Sequence, residues 1–313
     1  MVERIFDPIG LLIIVACGVV AAIIGAIVAG TRGQSASTLA LEAGLHGLAG
    51  AFVARTFISI VLSLGGDTRE AGIAVGWSFF LWPGAIDTVA AFFGAQLLTT
   101  PDRLLVIASV IGALGGLFDG IWQVRAWPWP SALTFVVDYS WGLAANTNGV
   151  LVHLLNTFID GHASDGRTDV HRYTGGFHVK SGYAFTQGLV MSTLPDAPGT
   201  SLYIHERTHV RQNRIFGPLF TLTYVAWAVV MFVLAAIAAA ARSVGFGEMV
   251  EAWCYYNNPW ETWAYKVGQD NGAGPRTDFG THVWSDGLVI GVSVPFFAVV
   301  AILAFLTIST VWL

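Results

Sequence analysis

The chain has 313 residues, of which 55% are hydrophobic and only 11% charged, with a mean hydropathy of +0.65. A soluble domain carries nearer a quarter charged residues, so a solvated exterior cannot cover this much apolar mass and the bilayer is expected to act as much of the solvent. A net charge of −5, with no basic run interleaved with aromatics, gives no reason to expect a nucleic-acid partner. Cys17 and Cys254 form neither a disulfide framework nor a C-x-x-C metal site. Lysine occurs only at Lys180 and Lys266, an arginine bias that fits a GC-rich prokaryotic genome.

A spanning helix needs about 20 predominantly apolar residues. Residues 8–30 satisfy this without a charge, and no cleavable signal is expected at their start. Gly18, Ala22, Ala26 and Gly30 recur at spacing four, a small-residue face suited to close contact with another membrane helix or a partner protein. Residues 38–64 form a second expected span, with Glu42 and His46 one turn apart and Arg55 deeper in; the Glu–His pair is read as bundle stabilisation. Residues 72–98, interrupted by Pro83 and carrying Asp87, are a third, and residues 103–122, with Asp119 near the end, a fourth. The Trp127–Pro130 run W-P-W-P reads as an interfacial turn. Residues 131–159 mix apolar positions with Asp138, Asn146, Asn148 and His153 and read as a buried or re-entrant helical segment.

Residues 160–198 are the one extended polar stretch. Strand-like runs are expected at 175–179 and 183–193, and His162, His171 and His178 are expected as solvated loop histidines, as is His282 further on. A helix is expected over 201–215, then an apolar run at 217–241, an aromatic-rich segment at 245–266, a polar loop at 270–285 and a last span at 287–313. The resulting fold class is mainly α: a polytopic transmembrane helical bundle with a small mixed α/β polar insert. Its expected parts are a four-helix membrane region (1–130), the re-entrant segment (131–159), the insert with a membrane hairpin (160–284) and a C-terminal span (285–313). The cationic residues Arg167, Arg172, Lys180, Arg207, Arg211 and Arg214 favour a cytoplasmic face for the insert.

The residues that carry chemistry are His205-Glu206-Arg207-Thr208-His209. Side chains four apart share one face of a helix, so two imidazoles at this spacing can hold a single Zn²⁺ while Glu206 handles the proton of a metal-bound water. Glu261 is a candidate third ligand, since Pro259 is placed to open a helix with Glu261 in its first turn. Glu251, His171 and His178 are the alternatives.

H-E-x-x-H followed by a helical glutamate resembles the gluzincin-type zinc metallopeptidases. The run His205 to Leu219, written H-E-x-x-H-x-x-Q-x-x-x-x-G-P-L, resembles a form found in bacterial membrane proteins of peptidase-like type. The resemblance covers roughly 175–265 and implies His205, His209 and Glu261 as ligands, Glu206 as the catalytic acid/base, and a peptide or protein substrate. It carries a topological condition. If 217–241 crosses the bilayer, the chain must double back for Glu261 to reach the two histidines. The rival reading is a non-catalytic membrane subunit whose metal site is structural or vestigial; a transporter using the intramembrane acids is a third, weakened by the lack of paired broken helices.

Overall fold

The computed structural model describes residues 7–159, 161–242 and 245–268. The span expected at 287–313, the loop at 270–285 and His282 lie outside the described residues. The protein is mainly helical with one small sheet, and four of its helices are long and apolar enough to cross a membrane. It divides into two compact units, Met1–Pro195 with Arg214–Pro218, and Asp196–Asn213 with Leu219–Leu313.

The first unit begins with α1 (Pro8–Arg32) and α2 (Ala36–Leu64), two of the four apolar helices. Asp7 caps α1, accepting from the Gly10 amide at 2.7 Å, and Gly33 ends it in the left-handed conformation that glycine adopts without a Cβ penalty. The third apolar helix is α5 (Pro101–Trp122). It runs antiparallel to α2 at backbone contact. A Cβ on Gly112 would overlap the Gly50 carbonyl, one on Gly116 the His46 carbonyl, and one on Gly120 the Ala43 backbone. Small residues let two helix backbones approach where lipid offers no hydrophobic drive to associate.

The buried stripe of α1 is Gly10, Ile14, Gly18, Ala21, Gly25 and Ala29. Gly18 and Gly25 pack on Leu48 and Ala43 of α2, whereas Gly30 faces open space. A row at spacing four drifts about 40° per step around a helix of 3.6 residues per turn. The Gly18/Ala22/Ala26/Gly30 row therefore leaves the α2 contact before it reaches its last member.

The third span expected from the sequence is broken. It consists of α3 (Arg69–Val75), a π-helical turn at Gly76–Phe80 and α4 (Trp82–Ala91). Leu81 has φ +59°, which interrupts the helix, and Pro83 at the start of α4 lacks the amide needed to continue one. Buried Asp87 then accepts the Leu97, Leu98 and Thr99 amides and the Thr99 hydroxyl, closing the following loop over itself.

After α6 (Ser131–Asp138) and α7 (Leu143–Ile159) come β1 (His171–Arg172), β2 (Phe185–Gln187) and β3 (Val190–Ser192), in sheet order β1-β3-β2. β1 is parallel to β3, and β2 antiparallel to it with Thr186 opposite Met191. The expected strand at 175–179 is absent; it is loop, and its Phe177 amide donates to the Asn156 side chain at 2.6 Å. Gly188 makes the β2–β3 turn at φ +57°, with Asn146 lying where a side chain would go.

Asp119 of α5 anchors a buried polar centre in this unit. It accepts from Arg125 Nε at 2.5 Å, the Tyr139 hydroxyl at 2.9 Å and His171 Nε2 at 2.8 Å. Arg125 also donates to Asp138 at 2.6 Å, and Arg214 donates to Asp138 and Asp169, each at 2.8 Å. His171, expected as a solvated loop residue, is 1% exposed. His162 stacks on Trp122 with ring centroids 4.2 Å apart and lies 3.0 Å from His171 Nδ1.

Candidate metal centre

The second unit contains residues 196–213, which include most of helix α8 (Ser201–Phe216), then α9 (Pro218–Arg242), α10 (Phe246–Val250), a π-helical turn at Glu251–Tyr256, and α11 (Pro259–Val267). Thr200 begins α8: its hydroxyl accepts from the Tyr203 amide at 3.4 Å. The helix buries a largely polar face comprising His205, Glu206, Thr208, His209, Gln212 and Asn213. Buried polar groups need partners, and that face is where the chemistry concentrates.

α9 is the fourth helix long and apolar enough to span a membrane. At about 1.5 Å per residue its 25 residues run about 37 Å. The chain then returns along it. Met249 packs with Ala235 and Ala239. The Trp253 carbonyl accepts from Trp227 Nε1 at 3.2 Å, and Cys254 lies against the Ala228 carbonyl at 3.4 Å. As residue numbers rise on the return strand they fall on α9, so the segment is an antiparallel hairpin. From Met249 to Asn258 its residues are buried or half-buried, whereas 245–248 are exposed.

The return delivers α11 to α8. Asn258 caps α11, its side chain accepting from the Trp260 amide at 3.0 Å, and Pro259 holds the first helical position, so Glu261 sits in the first turn. α11 lies antiparallel to α8. The Trp260 carbonyl accepts from Gln212 Nε2 at 3.0 Å, and Gly268 abuts Ser201 and His205 so closely that a Cβ there would crowd both.

The geometry follows from that pairing. His205 Nε2 and His209 Nε2 are 3.2 Å apart, Glu261 Oε2 is 3.3 Å from His205 Nε2, and Glu261 Oε1 is 3.5 Å from His209 Nε2. All three residues are buried, at 2%, 7% and 3% exposure. Two imidazoles and a carboxylate facing one another at this range can share a cation, a proton or a metal ion. Among the described residues this is the one group of three or more His, Cys, Asp or Glu side chains that could hold a metal ion.

The electrostatics agree. Burial alone lowers the pKa of His209, but the Glu261 carboxylate beside it outweighs that effect and raises the value to about 9. Burial likewise raises Glu261, and His209 and His205 more than offset it, holding the carboxyl well below the usual range. Without a metal, a proton on His209 is the shared cation.

The surroundings fix the ligands. Tyr224 of α9 donates its hydroxyl to Glu261 Oε1 at 2.7 Å. Gln212 Oε1 faces His209 Nδ1 at 2.9 Å. Tyr265 packs against the His205 ring at 4.4 Å, and Phe220 lies between Trp260 and His209 at 5.4 and 6.3 Å. Glu206 is 5% exposed, its Oε1 4.0 Å from His205 Nε2.

The structure thus brings together His205, His209 and Glu261, with Glu206 beside them. Of the alternative ligands, His171 is engaged with Asp119 and exposed His178 with the Gly176 carbonyl, while Glu251 opens the π-helical turn. Sequence reasoning missed Tyr224 and Gln212 as members of the site. Gln212 was visible as the glutamine three residues beyond His209; nothing about Tyr224, inside an apolar run, distinguished it. No protein-family model, curated protein or solved structure matches the chain.

Proposed function

We propose that this chain is a multi-pass integral membrane protein of a prokaryotic cell membrane that acts as a zinc metallopeptidase on a peptide or protein substrate. The observation that carries the reading is the convergence of His205, His209 and Glu261 in one buried group with Glu206 beside it. Two imidazoles and a carboxylate are a donor set that suits zinc, and three protein ligands, the number found among the described residues, leave a coordination position for water, whereas structural zinc takes four. Bound there, zinc supplies a Lewis acid and lowers the pKa of water.

The chain's own residues supply the rest. Glu206 accepts the proton from the attacking water and returns it to the departing amine. Glu261 balances charge, and Tyr224 orients the carboxylate through the bond to Oε1. The aromatic wall of Phe220, Trp260 and Tyr265 limits water around the reacting atoms.

The test is metal content of the purified protein beside its His205→Ala variant. One equivalent of zinc in the parent and none in the variant supports the site; equal zinc in both sinks it. Peptide hydrolysis lost in Glu206→Gln with zinc retained separates catalysis from mere metal binding.

A further inference from the structure

Gln212 is fully buried and bridges a backbone carbonyl and a histidine ring. The Trp260 carbonyl can only accept, so the amide nitrogen of Gln212 must point to it, at 3.0 Å. That leaves Oε1, an acceptor only, against His209 Nδ1 at 2.9 Å. Nδ1 must therefore carry a hydrogen, and in the neutral ring the lone pair resides on Nε2, the atom that faces His205 and Glu261. His205 differs: among the described residues its buried Nδ1 has no hydrogen-bond partner.

We propose that Gln212 is a positioning residue of the metal centre, locking His209 in the tautomer that presents Nε2 to the ion and tying that ligand to the helix that carries Glu261. The inference rests on the metal reading above and adds a coupling to it. One side chain holds a ligand of α8 by its ring and the ligand-bearing α11 by its backbone, through the carbonyl of the residue next to Glu261. Ligand tautomer and helix docking are set together. Outer partners of this kind typically contribute 10–100-fold in metal affinity.

The experiment uses the full chain in detergent, titrated with Zn²⁺ against a chromophoric chelator, with Co²⁺ as a spectroscopic stand-in. Gln212→Met keeps length and loses both hydrogen bonds. It is expected to bind one equivalent of Zn²⁺ about 10–100-fold more weakly than the parent, with altered Co²⁺ visible bands. Gln212→Glu can still accept from Nδ1–H but cannot donate to the Trp260 carbonyl; it is expected to recover about ten-fold or more of the loss, since the tautomer lock is restored. Should Gln212→Met fail to fold, Gln212→Asn, whose shorter side chain draws its oxygen back from His209 Nδ1, carries the same expected loss.

An affinity of the Met and Asn variants equal to the parent's overturns the proposal. So does a Glu variant no better than Met, which makes the residue a packing element alone. A parent that binds no Zn²⁺ removes the metal reading itself, and the inference with it; a parent that binds one equivalent beside insensitive variants removes the inference only.

Discussion

At the scale of single residues, the metal centre depends on how each ligand is held. Tyr224 donates to Glu261 Oε1 from within an otherwise apolar helix. Removing one hydrogen bond to a charged group costs about 1.5–3 kcal/mol, so Tyr224→Phe is expected to weaken Zn²⁺ by about 10–100-fold while leaving the stoichiometry at one. Chelator competition measures this, and unchanged affinity would show that the hydroxyl does not orient the ligand. Glu261→Gln keeps the shape and removes the charge that offsets the buried His209. Its expected outcome is loss of stoichiometric zinc, read by elemental analysis of the purified protein.

Between elements, two contacts make separate predictions. Helices α2 and α5 touch at Gly50 and Gly112 with no room for a Cβ. Gly112→Val is expected to destabilise by about 3 kcal/mol through overpacking, seen as a lower Tm in detergent. Gly30→Ala, where nothing lies within 4 Å, should leave Tm unchanged or slightly raised. Equal effects from the two would refute the close α2–α5 approach.

The polar centre around Asp119 predicts a pH dependence. Burial, reinforced by neighbouring His171, lowers the pKa of His162 to about 2, and burial lowers His171 despite its bond to Asp119. Arg32, Arg125 and Arg172 lie among the cations that oppose protonation of these rings. Because the folded values lie below the unfolded value of about 6.5, both states are neutral at higher pH. As pH falls below that value the unfolded chain takes up protons that the native state excludes, and stability declines. At pH 5 the loss is about 2 kcal/mol for each fully excluded histidine. Thermal unfolding at pH 7.5 and pH 5 checks this. His162→Gln should shrink the difference, and an unchanged difference would remove His162 from the account.

For the molecule as a whole, the membrane reading predicts where loops emerge. With α1 and α2 both crossing, Gly33 and Gly66 at the two ends of α2 lie on opposite sides of the bilayer. Single cysteines placed there, in a chain with Cys17 and Cys254 replaced, should react with a membrane-impermeant maleimide from opposite sides of oriented vesicles. Labelling of both from one side would mean that α2 does not span.

Much of this was legible in the sequence because it is local. An uncharged run such as residues 8–30 declares a membrane-length helix from composition alone, and H-E-x-x-H declares a shared face from a spacing of four. Asn258-Pro259 likewise announced a helix start with Glu261 in its first turn. What only the tertiary structure decided is long-range. The return along α9 that carries Glu261 to His205 and His209 depends on pairings such as Trp227 with Trp253, which no local pattern encodes. The same holds for His171, whose polar neighbours in sequence suggest solvent although it is buried in a hydrogen bond to Asp119, 52 residues away. The run 72–98 departs from a single span in the same way: it is apolar enough for one, yet Leu81 takes φ +59° and, after α4, buried Asp87 gathers the amides of the loop at 97–99. Periodicity and composition act on neighbouring residues; the metal centre exists because folding brings distant ones within hydrogen-bonding range.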